Sequence, residues 1–237
     1  MYESRVVLLR GRSHDLWDRL GPSAAAGFAQ FAHRLVWTLF EGDVHAKRDF
    51  LYYVLSKRPF AAIVRSARPP HDPFAGSDGV WHIETRPFAP RLAIDQQLRF
   101  RVQAVAAQWR PQGYGRRSRR EDVIMSAWKK IPIEERSDQD HLDAVARETG
   151  LVWLTTQGGS RGFEPLPGAV SVLAYDRQHH PAKEPRRFLT WGAVTYEGLL
   201  QVTDEKAFLV ALSGGIGAAR AFGNGLIQIA APDAFTS

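Results

Sequence analysis

The sequence predicts an α+β fold in two halves, each compatible with a βαββαβ order of elements. Three observations carry this expectation. Short β-branched and apolar runs alternate with helix-period runs along the whole chain. Glycine, proline and aspartate clusters punctuate them. An arginine-rich stretch near 108–120 separates the halves. The expected division is a first unit over 1–108, a basic linker over 109–120 and a second unit over 121–237.

Residues 2–9 (YESRVVLL) are β-branched and apolar enough for a first strand. Gly21-Pro22-Ser23 punctuates, with Ser23 as N-cap, and residues 24–40 read as a helix. Phe28, Phe31, Ala32, Leu35 and Leu39 form its apolar stripe. Residues 50–56 and 60–66 read as paired strands across Lys57-Arg58-Pro59. The proline-, glycine- and aspartate-rich segment 68–79 reads as a loop, and 80–85 and 98–105 as further strands. In the second half, 121–130 and 141–150 read as helices, with Gly150 as C-cap. Strands are expected at 169–175, 191–200 and 226–230, with an Asp204-capped helix through Leu212. The halves show no residue-level repeat.

Composition narrows the function. With 237 residues and 44% hydrophobic content the chain is globular, and no apolar stretch approaches the ~18–20 residues of a membrane span. Residues 1–10 lack the features of a signal peptide, so cytoplasmic residence is the expectation. Cysteine is absent, which excludes disulfides, thiolate catalysis and cysteine-ligated metals. The formal net charge of +6 is unevenly spread. Residues 1–120 carry 20 basic and 10 acidic side chains; residues 121–237 carry 11 and 15. Most of the basic residues are arginine, whose planar fork suits phosphate. The densest run is Arg110, then Arg116, Arg117, Arg119 and Arg120, and a polyanion is its natural partner. A solvated surface loop is the bland alternative.

Two motifs carry possible chemistry. Gly215-Ile216-Gly217 is followed, after five residues, by Gly223-Asn224-Gly225. It is neither a Walker A loop nor a dinucleotide fingerprint, because no Gly-Lys-Ser/Thr follows and Arg220 takes the third-glycine place. No nucleotide cofactor is therefore expected. The run is either a loop that needs close backbone approach or, with Arg220, a backbone surface for phosphates. Of the eight histidines, His179 and His180 are adjacent but lack the spaced third partner of a zinc site, so no metal is expected. His33 has a helical address. At about 100° per residue it falls about 140° from the apolar stripe, beside Gln30 and Trp37, at an aromatic-flanked edge. It is the candidate group for titration near neutrality.

A family resemblance rests on ordered segments. They are MYESRVVL at the start, Phe31–Phe40 around His33, and Lys47-Arg48-Asp49-Phe50-Leu51. Leu98–Val102, Thr195–Leu200 and the glycine run complete them. Together they resemble the CasE family, CRISPR-associated endoribonucleases of type I-E systems, over nearly the whole chain. The resemblance implies two tandem ferredoxin-like (RRM-like) domains and cleavage of CRISPR precursor RNA at the 3′ base of the repeat stem-loop. It further implies retention of the product within Cascade, with other Cascade subunits as partners, and places the catalytic histidine on His33. Some members carry a tyrosine three residues earlier, where this chain has Gln30.

The expected reaction is attack of the RNA 2′-OH on the adjacent phosphorus, without metal, leaving a 2′,3′-cyclic phosphate and a 5′-OH. His33 is assigned as general base, and Arg34 as a charge-stabilising neighbour. Arg116, Arg117, Arg119 and Arg120 are expected to line a groove for the stem, and Lys183, Arg186 and Arg187 to sit on a hairpin that enters it. Gly215, Gly217, Arg220, Gly223 and Gly225 are the remaining RNA-binding candidates. The alternative is an RNA-binding protein of the same superfamily that does not cut.

Overall fold

The structure, a computed structural model, describes residues 1–9, 27–40, 47–75, 79–111, 114, 118–136, 138–181 and 188–232. The first sheet holds β1 (Tyr2–Leu8), β2 (Phe50–Lys57), β3 (Phe60–Ser66) and β4 (Trp81–Pro87) in the order β2-β3-β1-β4, all antiparallel. Helix α1 (Phe28–Trp37) runs on into a 3-10 turn at Thr38–Phe40 and covers one face. Its Ala32, Leu35 and Val36, with Leu39 of the turn, pack on Val6, Tyr52, Ala62 and Val64. The segment between β3 and β4 is the expected loop. Asp72 organises it by accepting the backbone N–H groups of Phe74, Val80 and Trp81 at 2.8–2.9 Å.

The second sheet holds β5 (Gln97–Ala104), β8 (Phe163–Pro181), β9 (Phe188–Val202) and β10 (Gln228–Ala230) in the order β10-β5-β9-β8. Between β5 and β8 lie β6 (Ala107–Arg110), β7 (Arg119–Asp122), α2 (Val123–Trp128) and α3 (Gln139–Gly159). Helix α4 (Glu205–Gly214) follows β9, its first turn capped by Asp204, which accepts from Ala207 N. In both sheets the first and third strands of the βαββαβ order are central, so the fold is two tandem ferredoxin-like domains. Among the described residues the first lacks a second helix, the Asp72 loop standing in its place.

Four details differ from expectation. Strand 98–105, read with the first half, pairs along its whole length with β9. The alternation of Leu98, Phe100, Val102 and Ala104 marks a strand but not the sheet that receives it. The expected boundary at 108 thus falls inside the second sheet's run of elements. Second, the basic stretch expected as a linker begins and ends as a hairpin, with Trp109 opposite Arg120 and Arg110 opposite Arg119. Third, Gly150 does not end a helix; α3 runs nine residues past it. A Cβ there would lie 3.0 Å from the Tyr196 hydroxyl, which donates to the Gly150 carbonyl at 3.0 Å. Glycine lets helix and sheet approach, at the ~1 kcal/mol it costs inside a helix. Fourth, β8 starts at Phe163, ahead of the expected 169; Pro165 and Pro167 conceal it, and the register shifts there. No described helix is long and apolar enough to cross a membrane.

A buried cation joins the two sheets. Arg65 of β3 is 2% exposed. Its Nη1 donates to the carbonyls of Leu212 at 3.0 Å and Ile227 at 2.8 Å, on α4 and just before β10. Its Nη2 donates to Glu3 Oε2 at 2.6 Å, and the guanidinium lies 3.7 Å over the Phe88 ring. Burial pushes the Glu3 carboxyl up, but hydrogen bonds from Arg86 and Arg65 outweigh it and hold it below its ordinary 4.5. That contribution is present above the unfolded value and is lost as pH falls through the lowered folded one. Replacing Arg65 by alanine leaves the two buried carbonyls without their donor and Glu3 with Arg86 alone, at 2.6 Å. Arg65→Ala is expected to cost about 3–5 kcal/mol, read as a lower urea midpoint.

Candidate functional site

The glycine run forms the floor of the site. After α4 the chain doubles back, with Ile216 N bonded to Gly225 O at 3.0 Å and Gly225 N to Gln103 O at 2.6 Å. Gly223 and Gly225 have φ of 80° and 86°. A Cβ on Gly225 would meet Ile216 O at 2.3 Å, and one on Gly223 would meet the Tyr52 ring at 3.0 Å. Only glycine lets the loop lie in this conformation against β2 of the first domain. Gly215, Gly223 and Gly225 are accordingly buried, and Gly217 is half-buried.

This loop carries the 3-10 turn Arg220–Phe222 up to helix α1. The Phe222 ring lies 5.5 Å from the His33 ring and 5.2 Å from Trp191. His33 is half-buried, on the edge of α1 away from Leu35, where the helical period puts it. Trp37, one turn later, donates its indole N–H to His33 Nε2 at 3.1 Å. Burial pulls the imidazole below its ordinary 6.5. The Ala221 backbone opposes this, while Arg48 and Arg34 reinforce it. The lowering favours the neutral imidazole, the form that accepts a proton.

Beside this turn opens a groove of about 910 Å³. Arg48, Arg110, Arg120, Lys130, Arg161 and Arg220 line it, and among the described residues no carboxylate does. Trp109, 71% exposed, forms part of the wall. Arg48 joins the two domains, donating to the carbonyls of Phe50 and Arg220 at 3.0 Å each. Burial, then the charge of Arg220, pushes both Arg48 and Arg161 down. Arg110 is paired at 3.4 Å with Glu121, which lies outside the lining; the clustered cations together favour an anion among them, and arginine favours a phosphate. Ala221 and Arg48 line this groove and also act on His33, so the imidazole, itself outside the lining, adjoins the groove.

The expected residues are partly assembled here. Arg120, Gly217 and Arg220 line the groove. Arg119 is exposed on the hairpin and outside the lining, and Arg34 is exposed beside His33. Gly215, Gly223 and Gly225 shape the loop from within. Arg116, Arg117, Lys183, Arg186 and Arg187 lie outside the described residues. Sequence reasoning passed over Arg48, Lys130 and Arg161 as site residues. Arg48 stood in the quoted KRDFL segment; Lys130 and Arg161 lie 31 positions apart, just past the ends of α2 and α3, and converge only in the fold. Near the loop, Tyr52 is fully buried with its hydroxyl unpartnered, so its phenol does not stand in for the residue at Gln30.

The family model described as CRISPR associated protein matches residues 1–231. The chain belongs to this family. Within it, the chain is similar to the CRISPR system Cascade subunit CasE of Escherichia coli K12, at 23% identity over 240 residues, covering 97% of this chain and 99% of that protein. Among solved structures it resembles the CRISPR endoribonuclease Cse3 bound to a 19-nucleotide RNA, with a TM-score of 0.66 and 24% identity over 97% of this chain and 100% of that one. It also resembles Thermus thermophilus Cse3 bound to an RNA representing a pre-cleavage complex, with a TM-score of 0.64 and 24% identity, covering 97% and 98%. These structures share the CRISPR associated fold, and the CasE resemblance read from the sequence is borne out.

Removing a cation that disfavours the imidazolium raises the histidine's titration midpoint. In Arg48→Gln the His33 midpoint, followed by NMR, is expected to move up toward 6.5 by a few tenths of a pH unit, roughly the effect of one partly screened charge.

Proposed function

We propose that this chain is an endoribonuclease that cleaves CRISPR precursor RNA at the 3′ base of the repeat stem-loop and keeps the product as a subunit of Cascade. One observation carries the reading: a half-buried imidazole, which burial pulls below its ordinary titration range, adjoins a groove lined by six cations and, among the described residues, by no carboxylate. The CasE and Cse3 relatives, named as a Cascade subunit and as an endoribonuclease bound to RNA, support the same assignment.

RNA supplies its own nucleophile, so the protein must move protons, hold charge and align atoms. His33 takes the proton of the 2′-OH as that oxygen attacks the adjacent phosphorus. The bond from phosphorus to the 5′-oxygen breaks, and the leaving oxygen takes a proton from water. The products are a 2′,3′-cyclic phosphate and a 5′-OH. The groove arginines hold the phosphates on either side and oppose the charge that builds on the phosphorane oxygens. Chemistry of this kind proceeds without a metal. Trp109 is placed to stack on an unpaired base beside the stem.

Purified protein is expected to cut a repeat hairpin in excess EDTA. His33→Ala is expected to lower the single-turnover rate by about 10²–10⁴-fold while binding persists. A requirement for divalent metal would reject the mechanism, and binding without cutting by the unaltered protein would leave a passive RNA-holding role. Arg120→Gln with Arg161→Gln is expected to weaken RNA binding and to lower the slope of log affinity against log salt by about 0.7–0.9 per lost phosphate contact. An unchanged slope removes both residues from the interface.

A further inference from the structure

A neutral imidazole has one N–H and one lone pair, and a general base works through the lone pair. Which nitrogen carries it is set by the hydrogen bond each one makes. Trp37 and His33 stand four residues apart, on one face of α1. The indole N–H is a donor only, and it meets His33 Nε2 at 3.1 Å with the two rings edge to face at 88°. The lone pair is therefore on Nε2 and the proton on Nδ1. Trp37 is itself held edge-on against Phe50, with centroids 5.1 Å apart. Nδ1 is buried, and the Ala221 backbone acts on the ring in the sense that favours its protonated form. The charged groups acting on the ring are Arg34 from α1 and Arg48 from the segment before β2. Neither provides an acceptor that would select the other tautomer.

We propose that Trp37 is a positioning residue: its indole holds His33 with the proton on Nδ1, making Nε2 the basic nitrogen, and covers Nε2 until the substrate 2′-OH replaces it. This rests on the reading of His33 as general base. On substrate entry the indole bond to Nε2 breaks and the 2′-OH bond to Nε2 forms. The O–H bond then breaks, the new N–H forms, and the imidazolium carries a proton on each nitrogen. Water alone favours the opposite neutral tautomer, with the proton on Nε2, so the contact has a spectroscopic signature.

Histidine-selective ¹⁵N labelling of the free full-length protein reads that signature without any cleavage. Above its titration midpoint, wild-type His33 is expected to show the Nδ1–H tautomer. Trp37→Phe keeps an aromatic ring against Phe50 and removes the donor. It is expected to shift His33 toward the Nε2–H tautomer and to raise its midpoint by about half a pH unit, because a donor to the lone pair stabilises the neutral ring. An unchanged tautomer and midpoint in this variant, or an Nε2–H tautomer in the wild type, overturns the proposal. Should the variant fail to fold, the wild-type Trp37 indole resonance decides. It is expected to titrate with the His33 midpoint and to move when a repeat RNA carrying a 2′-deoxy scissile nucleotide binds. An indole resonance indifferent to pH through that midpoint overturns the proposal equally. Unimpaired cutting by His33→Ala beside a confirmed Nδ1–H tautomer would instead overturn the general-base reading of His33.

Discussion

The site exists only where the two ferredoxin-like domains meet, and the Arg65 guanidinium holds them there. It leaves β3 of the first sheet, satisfies the carbonyls of Leu212 and Ile227 in the second domain, and neutralises Glu3 behind it. A buried cation with fixed donors constrains geometry more tightly than apolar contact, because displacement leaves several polar groups unpaired at once. Arg48 repeats the device at the mouth of the groove, where its Nη1 bridges Phe50 of the first domain and Arg220 of the second. Helix α1 brings the histidine, the glycine run brings Phe222 and Ala221, and these arginine bonds bring the two together.

In the mechanism we propose, the same neighbours act in two stages. Before RNA binds, burial against Phe222 and Trp37 and the charges of Arg48 and Arg34 favour neutral His33. A phosphate seated among the groove cations reverses the sign of the electrostatic part. Negative charge nearby favours the imidazolium that forms when the 2′-OH gives up its proton. The arginines then oppose the charge on the phosphorane oxygens instead of the charge on the imidazole. A groove whose described lining holds cations and no carboxylate matches the proposed polyanionic substrate better than water, which is the condition for preorganised electrostatic stabilisation.

Much was legible from residue order. The helical period placed His33 off the apolar stripe beside Trp37, and the structure puts it there, half-buried and bonded to that indole. The glycine run was open to two readings, and its buried, positive-φ residues now show the packing that requires them. What misled was equally physical. The pattern of Leu98, Phe100, Val102 and Ala104 specifies which face is buried but not beneath which helices; chain order alone assigns β5 to the first half, and its pairing with β9 puts it in the second sheet. Gly150 has the residue type of a helix stop, and nothing local reveals that Tyr196 needs its missing side chain.

Local sequence determined the elements, the two-part α+β plan, the basic character and the single well-placed imidazole. These follow from periodicity, caps and charge, which act over a few residues. Tertiary structure decided the sheet that β5 joins, the docking through Arg65, and the convergence of Arg48, Arg110, Arg120, Lys130, Arg161 and Arg220 on one groove. Those six span more than 170 positions of the chain. Electrostatic potential and hydrogen-bond geometry depend on distance in space, which residue order does not encode until the chain has folded.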